Sequence, residues 1–287
     1  MIPILRRGRL IVPIADVSAK GRTILTLAFV VVLIVFGSGL FLLLNAHPGQ
    51  TNKAGTRLIA SQTVTPNMKA TATARAEATA TANVILLDPL SQNIHNWPIA
   101  TTGSMIYVFE NGAYHITDNN PTEGAPAILR DEILQGPFAY TLTMEEIKGD
   151  DTSINNEFGM IIRANSQNKN GKIITTFYSF EVLNTKNGEY QFWKYDNSTT
   201  SKTGPWTKLW HHTFGKEFHQ GQGSKSSNTL KIVVNGKSFT LIENGKQIAA
   251  VQDNSCSGSL CSSGAVGMLV NLKGTEVAFS NLRLTHS

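Results

Sequence analysis

Glu181 and Glu145 are the side chains from which a hydrolytic site could be assembled in this chain. A glycosidic bond is cut by two carboxyl groups roughly 5–10 Å apart, one giving a proton and the other attacking or activating water. Neighbouring residues on a strand point to opposite faces, so the adjacent pair Glu145-Glu146 is not such a dyad. Asp150-Asp151 follows Gly149 and reads as a solvated turn. The pattern E-x-D, which would set two carboxylates on one strand face, occurs nowhere. His211, His212 and His219 suggest a metal, but adjacent histidines on a strand diverge, and no H-E-x-x-H accompanies them. After residue 84 there is no G-x-S-x-G, no P-loop and no dinucleotide fingerprint. Sugar recognition uses aromatic faces with planar polar groups, and Trp97, Trp193, Trp206 and Trp210 are the resource for it. Trp206 and Trp210 lie four apart and share a face of a regular strand, serving either core packing or a ligand platform.

The elements that must position these groups are short, β-rich and punctuated by Gly, Asn and Asp. No stretch after residue 84 keeps helical periodicity for long, which predicts an antiparallel β-sandwich over 84–287. Asn235-Gly236 and Asn244-Gly245 are two-residue hairpin signals. Centred there, they pair Ile232 with Phe239, Leu230 with Leu241 and Leu241 with Ile248, a three-stranded meander with one apolar face. A third hairpin runs through Asn187-Gly188. With a two- or four-residue loop, Phe180, Val182, Trp193 and Tyr195 form core, and Glu181 and Lys194 share the opposite face; a three-residue loop reverses that parity. In 137–144, Phe138, Tyr140, Leu142 and Met144 alternate onto one face; in 157–163, Phe158, Met160 and Ile162 do. The open face of the sheet is then predicted to collect Glu145, Arg163, Glu181 and Lys194, with Tyr190 and Phe192 beside them. Further strands are expected at 104–109, 112–117, 206–211, 265–271 and 276–284.

This order of segments resembles the concanavalin-like (laminin-G-like) jelly roll. The resemblance is carried by DPLSQNIHNW (88–97), ENGAYHI (110–116), GMIIRAN (159–165), YSFEVLNTKNGEYQFWKYD (178–196), NTLKIVVNGKSFTLIENGKQI (228–248) and EVAFSNLRL (276–284). It implies an exported sandwich. Within this superfamily the chain is similar to the keto-disaccharide hydrolase-like branch, whose members carry an Arg ending a strand like GMIIR and a Glu inside one like YSFEV. Arg163 and Glu181 match those positions. The Asp that often follows is absent, since the chain reads Val182-Leu183-Asn184 there. The resemblance also implies a possible structural calcium, with Asp88 and Asp253 as candidates; no other cofactor is expected.

Where the sandwich works is set by residues 23–44, which carry no charge over 22 residues, enough to cross a bilayer as a helix. Arg6, Arg7, Arg9, Lys20 and Arg22 precede the run, against Asp16 alone, and no Lys or Arg lies in 45–50. Positive residues stay inside. The prediction is a cytoplasmic tail (1–22), a transmembrane helix (23–44) in contact with membrane lipid, a Thr/Ala-rich stalk (45–83) and an extracellular domain (84–287) at the plasma membrane. A cleaved signal peptide is the alternative; both export the domain. The net charge of +5 is concentrated before residue 84, and the domain holds 16 Lys/Arg against 18 Asp/Glu, which argues against nucleic acid as a partner. Cys256 and Cys261, the only cysteines, close a small disulfide loop, or stay as free thiols, or contribute to a zinc site lacking its other ligands. The leading functional reading is an anchored module binding carbohydrate or another extracellular ligand without catalysis. The ligand set is Arg163, Glu181, Lys194, Glu145, Tyr190, Phe192, Trp206 and Trp210. A glycoside-processing enzyme using Glu181 and Glu145 is second, and a structural or adhesive module third.

Overall fold

The computed structural model describes residues 83–198 and 204–287. The segments expected to be the tail, the membrane helix and nearly all of the stalk lie outside these residues. Among the described residues no helix is long and apolar enough to cross a membrane.

Fourteen strands among the described residues build two antiparallel sheets. The larger runs β12(Lys246–Gln252)-β11(Ser238–Glu243)-β10(Asn228–Asn235)-β5(Phe138–Lys148)-β14(Thr275–His286)-β3(Ala113–Asp118)-β2(Met105–Glu110), with β1(Val84–Asp88) also paired to β14. The smaller runs β4(Ala125–Gln135)-β13(Ser263–Asn271)-β6(Glu157–Lys169)-β7(Lys172–Leu183)-β8(Glu189–Asp196)-β9(Trp206–Thr213). One short helix, α1(Ser259–Ser262), and a single 3₁₀ turn at 224–226 are the only helical pieces among the described residues. Period-two alternation decides what is inside. Phe138, Tyr140, Leu142 and Met144 of the larger sheet face Phe158, Met160, Ile162, Phe180 and Val182 of the smaller, all buried. Each such side chain removed from water stabilises the sandwich by about 1.5–3 kcal/mol.

Asn-Gly pairs turn three of these hairpins as a two-residue loop requires. Asn111-Gly112, Asn170-Gly171 and Asn244-Gly245 all have positive φ at both residues, the conformation that twists with the strands. At Asn235-Gly236 the turn is displaced by one residue. Asn235 pairs with Ser238 and only Gly236 has positive φ, so Ile232 faces Leu241 and Val234 faces Phe239. The displacement moves the register by two, so the expected apolar face survives while the expected partners do not. After the Asn244-Gly245 turn a bulge at Leu241/Ile242 sets Leu241 against Ala249.

The hairpin after β7 departs further. Leu183 pairs with Glu189, leaving a five-residue loop, 184–188. An odd loop exchanges the faces of one strand relative to the other. Phe180 therefore stands against Phe192 and Val182 against Tyr190, all four in the core, while Ser179 and Glu181 share the outer face with Trp193 and Gln191. Two strands beyond those expected complete the sandwich. β1 adds to β14, and β4 forms the edge of the smaller sheet, where Pro126 is tolerated because it has only one neighbouring strand.

Candidate functional site

At one end of the sandwich β6 is interrupted. Arg163 takes φ of +52°, and the pairing with β7 shifts between Ile162 and Asn165. Gly264 sits against this bulge at φ +152°, and a Cβ there would lie 2.5 Å from the Arg163 carbonyl carbon, so no other residue fits. The bulge turns the Arg163 side chain in between the sheets. Its guanidinium is fully buried, with Cζ 5.7 Å from the centre of the Phe239 ring. Nη1 donates to the carbonyl oxygens of Gly236 (2.6 Å) and Leu260 (3.3 Å). Nε and Nη2 have no hydrogen-bond partner among the described residues. Burial lowers the Arg163 pKa, opposed in part by Tyr178.

Over this bulge folds the segment 253–262, closed by a Cys256–Cys261 disulfide. Asp253 pins it down. Its Oδ1 accepts from the Ser255 N–H (2.9 Å) and hydroxyl (2.5 Å), and its Oδ2 from the Tyr178 hydroxyl (2.9 Å) and Lys194 Nζ (2.9 Å). Burial pushes the Asp253 carboxyl up, but the Ser255, Lys194 and Tyr178 hydrogen bonds outweigh it and hold the pKa below the usual carboxylate range. Lys194 also donates to Ser255 Oγ at 2.7 Å. Between this loop and the strand ends opens a cleft of about 330 Å³. The strands supply Asn165, Gln167, Ile174, Thr176, Lys194 and Asp196; the loop supplies Ser255, Ser257, Ser259 and Leu260; Lys169 and Ser198 close the rim.

The face expected to gather the ligand-binding residues is not assembled. Glu145 lies on β5 of the larger sheet and alternates with buried Met144 and Glu146, so it faces outward there. Glu181 lies on β7 of the smaller sheet, on that sheet's outer face. The thickness of the sandwich, about 10 Å between sheets alone, separates the two carboxylates, and they form no dyad. Tyr190 and Phe192 are core residues because of the five-residue loop. The same loop puts Lys194 on the inward side, at the cleft. Trp206 and Trp210 fall on opposite faces, because β9 is bulged opposite Phe192/Trp193: Trp206 pairs with Tyr195 on the outer face, and Trp210 with Phe192 on the core side. Of the expected set, Lys194 lines the cleft and Arg163 supports it from below.

Glu181 is nevertheless well placed on its own face. Its Oε1 accepts from the Ser179 hydroxyl. It stands between Gly159 and Gln191, where any side chain on residue 159 would collide with the Phe180 carbonyl oxygen at 2.1 Å. Beyond it Gln191 donates to Glu189 (2.9 Å), Trp193 Nε1 donates to Gln191 (2.5 Å), and Lys208 lies 4.7 Å from the Trp193 ring centre. Both calcium candidates are engaged by protein donors. Asp88 accepts from the Leu90 N–H (2.8 Å) and Trp97 Nε1 (2.9 Å), and Asp253 is committed as described. The three histidines are not a cluster: His211 bonds Glu189 Oε2, His212 the Thr213 carbonyl and His219 the Ser227 carbonyl. A group that sequence spacing does not reveal is His115 with Glu276 (2.8 Å) and Glu110 (3.7 Å), brought together by β2, β3 and β14. The residues of the cleft loop were equally hidden, since Ser and Gly side chains carry no periodic signal.

Comparison with solved structures places the fold. A protein of unknown function with a galectin-like fold from Bacillus subtilis superposes with a TM-score of 0.50, over 71% of this chain and 96% of that one, at 12% identity. The carbohydrate-binding module CBM66 from Bacillus subtilis matches with a TM-score of 0.45 (67% and 97% coverage, 15% identity). The catalytic domain of an endo-1,3-β-glucanase from Thermotoga petrophila matches with a TM-score of 0.49 (71% and 97%, 8% identity). No family model and no curated protein sequence matches the chain. The described domain is thus a galectin-like jelly-roll sandwich.

Proposed function

We propose that the chain is a membrane-tethered, exported module whose jelly-roll domain binds carbohydrate at the cleft beside the disulfide loop. The observation that carries it is the polar lining of that cleft: Asn165, Gln167, Thr176, Ser257, Ser259 and Lys194 surround a space of about 330 Å³. This size and this donor–acceptor mixture fit one or two sugar units. The galectin-like fold supports the reading, as does the resemblance of GMIIRAN and its neighbours to exported jelly rolls. The uncharged run 23–44 and the arginines before it support the anchor and a plasma-membrane location. A glycan array probed with the full chain tests the function. Binding to a defined glycan, lost on Gln167→Ala or on filling the cleft with Ser257→Trp, is expected. Absence of binding to every glycan, or binding that both substitutions leave intact, sinks it.

Glu181 on the outer face of the smaller sheet supports a second reading, a glycoside-processing hydrolase of the keto-disaccharide hydrolase-like branch. Turnover of a disaccharide by the wild-type chain, abolished in Glu181→Gln, selects that reading over the binder.

A further inference from the structure

We infer that the cleft prefers a saccharide unit carrying a negative charge, a carboxylate or a sulfate; this rests on the carbohydrate reading above. Among its described lining residues none is aromatic, and among these Ile174 and Leu260 supply the only large apolar surface. A neutral pyranose gains much of its affinity by stacking on a ring, and here it finds none. Affinity must come from hydrogen bonds, and those involving a charge are about twice as strong as neutral ones.

Several neutral groups are also already committed. The Ser255 hydroxyl donates to Asp253 and accepts from Lys194. The Ser198 hydroxyl donates to Asp196 at 2.6 Å, and the Ser198 N–H to the same oxygen at 2.9 Å. Asn165 Nδ2 donates to the carbonyls of Arg163 and Ser263.

The charges that remain favour an anion. Lys169 and Lys194 line the cleft. The Arg163 guanidinium lies behind Leu260, hydrogen-bonded through that residue's carbonyl. Against these three stand Asp253, ion-paired to Lys194 at 2.9 Å, and Asp196, turned onto Ser198. Lys172, whose Nζ donates to the Asn197 carbonyl at 3.1 Å, adds a further cation beside the rim. A buried charge is screened by salt far less than an exposed one. Arg163 therefore projects a standing positive potential into the space above it. It touches no ligand and acts as a positioning residue that holds the Leu260 wall.

Calorimetric titration of the full chain with tetragalacturonate and its fully methyl-esterified counterpart tests this, with sulfated and unsulfated dextran fragments as a second pair. The acidic member of at least one pair is expected to bind about tenfold more tightly than its neutral partner, the scale of one charge-assisted hydrogen bond, and to weaken as salt rises. Lys169→Gln, at an exposed position where folding is not at risk, is expected to erase most of that difference between the acidic and the neutral member. Equal affinity within both pairs, or a preference that Lys169→Gln leaves untouched, overturns the charge preference while leaving carbohydrate binding standing. Failure of every glycan, neutral or acidic, overturns both.

Discussion

Asp253 shows how much a single side chain does in this molecule. Its carboxylate takes four donors, two from Ser255 and one each from Tyr178 and Lys194. Those bonds join the smaller sheet to the loop that walls the cleft. Asp253→Asn leaves Lys194 without its counter-charge in a nearly buried place. Breaking such a pair from one side costs roughly 3–5 kcal/mol, and adding Lys194→Met recovers part of the loss; urea titrations of both variants measure it. The sequence offered Asp253 as an oxygen ligand for calcium. It could not reveal that both oxygens accept protein donors, because these lie up to 75 positions away. Glu146 and Asp118 behave differently. Burial raises both carboxyls to about 7, against the side-chain amides of Asn156 and Asn184 around Glu146 and the Asn120 N–H at Asp118. A carboxyl whose folded pKa is raised stabilises the fold while protonated. That contribution is complete below the unfolded pKa near 4 and is lost as pH climbs through 7. Stability is expected to fall by about 1–3 kcal/mol per group between pH 4.5 and 7.5. Glu146→Gln is expected to flatten the profile by its share; a profile identical to wild type in both Glu146→Gln and Asp118→Asn refutes the assignment.

At the scale of elements, hairpin parity decided what could be read in advance. Asn-Gly located the turn of the 243–246 hairpin, and the meander's apolar face followed because a two-residue slip preserves parity. The 184–188 loop did not yield, because its length is odd and no residue in it announces this. It exchanged Phe192 and Tyr190 with Trp193 and Tyr195. The exchange has a measurable signature. Phe192→Ala is expected to cost about 3–5 kcal/mol, the cost of a core aromatic, and Trp193→Ala well under half as much. The reverse order of costs would restore the even-loop register. β4 escaped notice for a related reason: Arg130, Asp131 and Glu132 interrupt its apolar alternation, and Pro126 reads as a breaker. The cystine segment was legible as the small loop that Cys256 and Cys261 close, but not as a wall of the cleft. Its six-residue loop contributes only about 2 kcal/mol of chain-entropy stabilisation. Ser257, Ser259 and Leu260 of the cleft wall lie inside it. Cys256→Ser with Cys261→Ser is therefore expected to lower stability by about 2 kcal/mol while weakening glycan binding at least tenfold. Loss of stability with unchanged affinity would mean the wall holds its shape without the bridge.

On the scale of the whole molecule, the cleft and the entry of the chain lie at the same end of the sandwich. The Asn83 carbonyl accepts the His286 N–H at 2.8 Å, and His286 pairs with Phe138, which pairs in turn with Val234 just before the Gly236 turn that binds Arg163. The first described residue, Asn83, therefore lies at the cleft end of the domain. On the topology proposed above, the 39 residues of the expected stalk, at most ~130 Å when fully extended, would set how far the domain can reach from the bilayer. Two consequences separate this arrangement from a domain released into the medium or held inside the cell. Protease added to intact cells is expected to remove residues 84–287 from the full-length chain, and the domain stays with the membrane pellet through a carbonate wash. Deleting about 25 residues from 50–80 is expected to leave affinity for a soluble oligosaccharide unchanged while lowering retention of cells on an immobilised polymer, since a cleft at the tethered end loses access first when the tether shortens. A domain that resists external protease until cells are lysed refutes export. One that captures polymer equally well on a short tether puts its binding surface on the sheet face around Glu181 instead.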